Sequence, residues 1–355
     1  MYDQGVAVHD VLGVGIIGAG PVTQALHIPM LARLPELYQF VHLTAPSPRA
    51  APDVANRVGA RYSDTVDALL ADPAVDVVAI HSPSALHAEH ALQAMRAGKR
   101  ALFIEKPLAT TLEDAVAVVE MAEQTGTVLI VGTMHVFDPA WTRANEAFGD
   151  LIRDASVIRA SAILPPNPLV ERWCGEVLAR AGFPSPPDLS IPPVRAGVVQ
   201  AVTLNLAIHS IPLIRAALPN WRAIEVLSAQ PLPPFGHHQF LACGDARIQM
   251  LANMHTHRWW DWSVEFESRR GSVTVASPLS YAPAGSGTVT ARTDQGEIRL
   301  PASHETGYEV EWRHLHAMAT RGSAPMHSAR ESLDDLEFAI RIVAGAAAKA
   351  QEILA

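Results

Sequence analysis

The stretch Gly13–Pro29, GVGIIGAGPVTQALHIP, decides the fold. A β-branched run closes on Gly18 and Gly20, and a helical pattern opened by Pro21 and Val22 then runs to about Leu34. Strand, tight turn and helix in that order form the first half of a βαβ unit. Gly18 allows the turn, Gly20 lets backbone approach a pyrophosphate, and the helix offers its free N–H groups to the anion. The third position of the pattern is Thr23 rather than Gly. Downstream, the strand YQFVHLTA, a short helix after Asp53, the strand AVDVVAIHS, the helix ALHAEHALQAMRAG, the strand RALFIE, the helix TLEDAVAVVEMAEQTG and the strand VLIVGTM keep alternating. That order predicts an α/β, doubly wound parallel sheet over residues 1–139, with a dinucleotide as its ligand.

Composition excludes several other classes. The 355 residues suit two domains, and 49% hydrophobic with 18% charged residues is ample for buried cores. A balance of 27 basic against 36 acidic residues, without a Lys/Arg cluster, argues against a nucleic-acid partner. Cys174 and Cys243 have no metal-ligand spacing, and a disulfide framework is not expected. Asp3 and Asp10 stand where a signal peptide would be basic, and the apolar run VLGVGIIGAG is short and broken by glycine. Neither a signal peptide nor a membrane span is expected, which puts the chain in the cytoplasm.

Two further motifs narrow the reading. The strand RALFIE runs into Glu105-Lys106-Pro107, which puts a lysine at the carboxyl edge of a parallel sheet, where ligands collect. The strand before it ends in SPSALH, Ser82 to His87. Together with GAGPVTQALHIP these segments resemble the Gfo/Idh/MocA oxidoreductase family. Its members carry a Gly-x-Gly turn with a following His-x-Pro (His27, Ile28, Pro29), a Ser/Thr-Pro with a later His (Ser82, Pro83, His87), and Glu-Lys-Pro with a cis Lys-Pro bond. The resemblance extends to VGTMHVFDPAW and to the C-terminal EWRHLHAMATRG and ESLDDLEFAIRIV.

The resemblance implies a Rossmann domain that binds NAD(P)(H) through Gly18, Gly20, Pro21, Val22, Ser82, Pro83, His87, Glu105 and Lys106. A second, α+β domain over 140–331 would hold a large, mostly antiparallel open sheet, supported by RAIEVLSAQ, ARIQMLANMH, WWDWSVEFES and GSVTVAS. In the family that sheet supplies the interface of a homo-oligomer, a dimer or tetramer, and the last helix, here 332–354, packs back on the nucleotide domain. Between the strand ASVIRASAIL and the segment NLAIH lies PPNPLVERWCGEVLARAGFPSPPDLSIPPVRAG, whose proline and glycine content predicts a loop.

NLAIH, Asn205 to His209, falls where family members commonly carry an Asp and a His four residues apart, facing the nicotinamide. On one helix that spacing puts both side chains on one face. The implied role is proton exchange by His209 and Lys106 with a hydroxyl or carbonyl, with Asn205 able to orient the imidazole but adding no charge. Pro212 favours a bend there. His135 at a strand end, and Arg172 and Trp173 in the Pro-rich segment, are candidate substrate contacts. His255 and His257 lack a carboxylate or cysteine at ligand spacing, so no metal is expected. Trp260 and Trp262 share a strand face and suggest sheet packing.

NAD-binding relatives end the second strand with a carboxylate that takes the ribose hydroxyls. Here Ala45 occupies that place with Ser47 and Arg49 nearby, which favours NADP somewhat. The implied function is hydride transfer to or from a sugar, polyol, cyclitol or related hydroxy/keto compound. Alternatives are glycosidic cleavage by oxidation and elimination with a tightly held dinucleotide, and a cofactor-binding sensor or subunit without turnover.

Overall fold

The computed structural model describes residues 11–45, 50–174, 177–178, 185–255, 259–281 and 284–352. Six strands, β1 (Leu12–Ile17), β2 (Tyr38–Thr44), β3 (Arg61–Ser63), β4 (Val77–Ile80), β5 (Ala101–Glu105) and β6 (Val128–Gly132), form a parallel sheet in the order β3-β2-β1-β4-β5-β6. The order reverses between β1 and β4, so a crevice opens beyond the carboxyl ends of those two strands, where doubly wound sheets bind ligands. The short β3 carries no apolar run, so nothing in the sequence pattern announced it.

Alternation along the strands shows why both faces are covered. Ala101 and Phe103 of β5 join one apolar cluster while Leu102 and Ile104 join another, and Val77/Ala79 and Val78/Ile80 of β4 divide the same way. The second cluster is closed by the helices His87–Arg96 and Leu112–Thr125. The first is closed by the helix after Gly20 and by a distant one, Gly307–Arg321, whose fully buried Trp312 stacks on Phe103 with ring centroids 4.5 Å apart. Each such core side chain stabilises the fold by roughly 1.5–3 kcal/mol.

Thr111 caps the helix Leu112–Thr125, its Oγ1 accepting the Asp114 N–H at 3.1 Å. Thr111→Ala should therefore lower stability by about 1 kcal/mol. An unchanged urea midpoint would show that the cap holds nothing.

The remaining strands are β7 (Val157–Leu164), β8 (Glu225–Leu232), β9 (Gly236–Cys243), β10 (Ala246–Met254), β11 (Asp261–Ser268), β12 (Gly271–Ala276), β13 (Thr288–Thr293) and β14 (Gly296–Leu300). They form one sheet in the order β14-β13-β12-β11-β7-β10-β9-β8, antiparallel throughout except for the β7–β10 pair. Along β10, Ile248, Met250 and Ala252 are buried under helices while Arg247, Gln249 and Leu251 point the other way. The helices Pro139–Arg153 and Pro192–Asn205 lie on the buried side. The last helix, Ala329–Glu352, touches both sheets' layers: Leu336 packs with the second Rossmann cluster, while Ala346 and Ala350 meet Val199 and Ala229.

The Pro-rich segment is not the continuous loop its composition predicts. It contains the helix Asn167–Cys174, and the helix Pro192–Asn205 starts inside it. Pro168, Pro192 and Pro193 lie in first turns, where a missing N–H costs no helical hydrogen bond.

Candidate active site

The crevice at the sheet's reversal is lined by Gly18, Gly20, Pro21, Val22, Ala45, Ser82 and Pro83, all of which the sequence put at the cofactor, and has a volume of about 480 Å³. Gly18 has φ +115°, and a Cβ there would stand 2.4 Å from the His81 carbonyl oxygen. A Cβ on Gly20 would meet no protein atom within 4 Å and would project into open space. The turn thus keeps one backbone position bare for a ligand, as a dinucleotide pyrophosphate requires. Thr23, in place of a third glycine, ties the turn down by donating from Oγ1 to the Gly18 carbonyl at 2.9 Å.

Gly18→Ala should store about 1–3 kcal/mol of strain in the turn and weaken dinucleotide binding. Gly20→Ala should weaken binding while leaving the melting temperature alone. Calorimetric titration beside thermal denaturation checks both, and unchanged affinity in the two variants would remove this turn from the site.

Two expected cofactor contacts are engaged differently from a direct ligand. His87 is buried, with Nδ1 2.7 Å from the Pro107 carbonyl oxygen and Nε2 2.8 Å from that of Ser82. It ties the end of β4 to the turn after Lys106. Glu105 has Oε1 2.7 Å from His27 Nε2 and accepts the Lys106 backbone N–H through Oε2 at 3.1 Å. Ser47 and Arg49 lie outside the described residues, as does His257.

Val22 also borders a second cavity of about 320 Å³, where Lys106, Asn205 and His209 meet. Lys106 leaves the end of β5 through a cis bond to Pro107, as the resemblance implied, and its Nζ donates to the Asn205 carbonyl at 3.0 Å. Burial lowers its pKa, and the Glu105 charge opposes that shift.

Asn205 and His209 do not share one helix. Asn205 ends the helix Pro192–Asn205, Leu206 turns the chain, and Ala207–His209 form a single 3-10 turn before Ile211–Ala216. The two helical arms meet at 40°. The bend lies ahead of Pro212, which sits harmlessly in the first turn of the next helix. Asn205 Nδ2 donates to the Ala201 carbonyl at 2.8 Å rather than to the imidazole.

His209 is held instead by rings and backbone. Trp262 lies edge-on to it at 5.4 Å, and its own carbonyl is 3.1 Å from His135 Nδ1. His209 Nδ1 is buried without a partner among the described residues, which leaves Nε2 as the nitrogen for the cavity. Burial, then the Lys106 charge, then His135 push its pKa well below the usual imidazole value. A neutral imidazole beside a lysine can accept or pass a proton.

His135, expected at a strand end facing substrate, lies in the short helix Met134–Phe137 with 5% exposure, behind His209. Burial pushes its pKa down to about 4, against the His209 carbonyl contact. Arg172 and Trp173 are exposed on the helix Asn167–Cys174, and from that helix it is Asn167 that lines the cavity. Trp260 and Trp262 part company: Trp260 is 44% exposed ahead of β11, while Trp262 is buried and forms a cavity wall.

Sequence reasoning missed Asn167, Tyr281 and Tyr308 in that wall. Tyr281 has φ +63°, rare for a bulky side chain and a mark of functional sites, but no local motif reveals it. It also missed Gln24, whose amide accepts the Leu178 N–H at 2.7 Å and donates to the Ala19 carbonyl at 2.7 Å. That contact docks Leu178 against the cofactor crevice.

Residues 12–133 match the family model described as an oxidoreductase family with an NAD-binding Rossmann fold. The chain is similar to a 1,5-anhydro-D-fructose reductase of Ensifer adhaerens, 27% identical over 94% of this chain and 96% of that protein. It is 28% identical to an inositol 2-dehydrogenase of Saccharopolyspora erythraea over 79% of this chain and 78% of the relative. A 3-ketoreductase from Actinomadura kijaniata, solved with TDP-benzene and NADP, has the same fold, with TM-score 0.74, 19% identity, and coverage of 95% and 98% of the two chains. The glycine turn, the strand-end lysine and the two-sheet architecture agree with these matches: residues 12–133 match the NAD-binding Rossmann domain of the Gfo/Idh/MocA oxidoreductases, and over most of its length the chain is similar to dehydrogenases and reductases.

Proposed function

We propose that this protein interconverts a secondary alcohol and a ketone on a sugar, polyol, cyclitol or related compound, with Lys106 and His209 as its proton-transfer groups. The observation that carries the reading is the meeting of those two side chains in one cavity that adjoins the glycine-turn crevice at Val22. Bound NAD(P) supplies hydride-transfer chemistry to the substrate carbon. Lys106 Nζ and His209 Nε2 hold the substrate oxygen and give or take its proton, while Asn167, Tyr281 and Tyr308 offer hydrogen-bonding groups to neighbouring hydroxyls. Residues 1–139 would serve the dinucleotide and residues 140–331 the substrate, with the last helix joining the two.

NADP is the favoured dinucleotide, because the buried Ala45 lines the crevice where a carboxylate would otherwise repel a 2'-phosphate. The outer face of the eight-stranded sheet is the favoured surface for a homo-oligomer, since Phe240 on it is 43% exposed. No single helix among the described residues is long and apolar enough to cross a membrane. Turnover of a panel of polyols, cyclitols and hexoses with NADP and NAD tests the reading. Absence of dinucleotide binding to the purified protein would refute it.

One observation favours a second reading, transient use of a retained dinucleotide: the Gln24 contact that holds Leu178 over the crevice. Stoichiometric dinucleotide released on denaturing the purified protein would support it. Fast exchange with free NADPH would exclude it.

A further inference from the structure

A chain of hydrogen bonds starts on the helix Gly307–Arg321 and ends at the backbone of Lys106. Trp312 Nε1, a group that can only donate, stands 3.3 Å from His27 Nδ1. The imidazole therefore offers its Nδ1 lone pair to the indole and keeps its proton on Nε2, which is 2.7 Å from Glu105 Oε1. Glu105 Oε2 then accepts the Lys106 N–H at 3.1 Å. His27 is 1% exposed, stacked on His81 at 4.1 Å and edge-on to Phe103 at 5.0 Å, so water does not compete for either nitrogen.

We propose that His27 is a positioning residue for proton transfer: in the Nε2–H tautomer set by Trp312 it keeps Glu105 ionised and aimed, and Glu105 keeps Lys106 an ammonium within the cavity. The proposal rests on the reading of Lys106 as a proton-transfer group. A buried carboxylate without a donor takes up a proton. Burial pushes Glu105 that way, yet the hydrogen bond from His27 and the Lys106 charge hold its carboxyl below the usual carboxylate value.

The other titratable groups around the pair do not replace that anion. His81 at the end of β4 and His209 on its 3-10 turn are both pushed well below the usual histidine value, chiefly by burial. Tyr308 and Glu311, on the same helix as Trp312, are pushed well above theirs, again chiefly by burial, and stay neutral. Among the described groups facing Lys106, Glu105 is thus the one that carries negative charge, and His27 is the donor that stabilises it.

The test is a titration of Lys106 itself, read from its side-chain carbon resonance in the full-length protein. His27→Leu should lower its midpoint by about one unit or more. His27→Gln should preserve it, because an amide can donate to Glu105 and accept from Trp312. A midpoint that stays put in His27→Leu while thermal stability falls would mean that His27 only packs, and would overturn the proposal.

Should His27→Leu fail to fold, Glu105→Gln removes the charge at constant shape and must lower the midpoint likewise. Nitrogen shifts of His27 in the unaltered protein must report the Nε2–H tautomer, and an Nδ1–H form or an exchanging mixture would also overturn it. None of these readouts needs turnover. A fully active Lys106→Ala would refute the proton-transfer reading and leave the His27 result standing on its own.

Discussion

Lys106→Ala is expected to lower kcat by about 10²–10⁴-fold, the usual worth of a positioned acid or base, with little loss of stability. Among the described residues its ammonium makes one hydrogen bond, to the Asn205 carbonyl. Loss of such a bond costs about 0.5–1.5 kcal/mol, or a shift of melting temperature of only a few degrees. KM should change less than kcat, because the proton moves in the transition state while much of the substrate is held by other cavity walls. A variant that turns over normally would take Lys106 out of the chemistry. A collapse of melting temperature in proportion to activity would show that the residue supports the turn around Pro107 instead.

The nucleotide half was legible because its signals are local. A β-branched run, two glycines at fixed spacing and a helix need no distant partner to be recognised, and Gly18 at φ +115° is the conformation that the turn demands. Lys106 was legible for the same reason, since the end of a buried parallel strand has only one place to be. The rest depends on contacts between residues far apart in sequence. Asn205 and His209 have helical spacing, but the chain breaks between them, so they share a cavity wall without sharing a face. Tyr308 lies beside Glu105 only because the helix Gly307–Arg321 returns to the first sheet. Proline counting misjudged the segment after Leu164, where prolines begin helices rather than prevent them.

His209→Ala should cost turnover on the same scale as the loss of Lys106, about 10²–10⁴-fold, and Asn205→Asp tells whether the imidazole acts as a base whose charge can be tuned. Asn205 donates from its amide to the Ala201 carbonyl, a bond a carboxylate cannot make. At the C-terminal end of a helix an Asp is also repelled by the dipole, at a cost of about 0.3–1 kcal/mol. It should swing away from Ala201 and toward the cavity, where Lys106 Nζ already sits 3.0 Å from the Asn205 carbonyl. In the present protein burial and the Lys106 charge push His209 down, so its neutral form prevails at neutral pH. A new negative charge favours the imidazolium, so the limb of the pH–kcat profile that belongs to His209 should move to higher pH by about one unit. A profile that stays fixed, with His209→Ala still inactive, would mean that the wall built by Trp262 and His135 keeps the ring out of reach of residue 205. Full turnover in both variants would make His209 a packing residue and leave Lys106 to carry the proton alone.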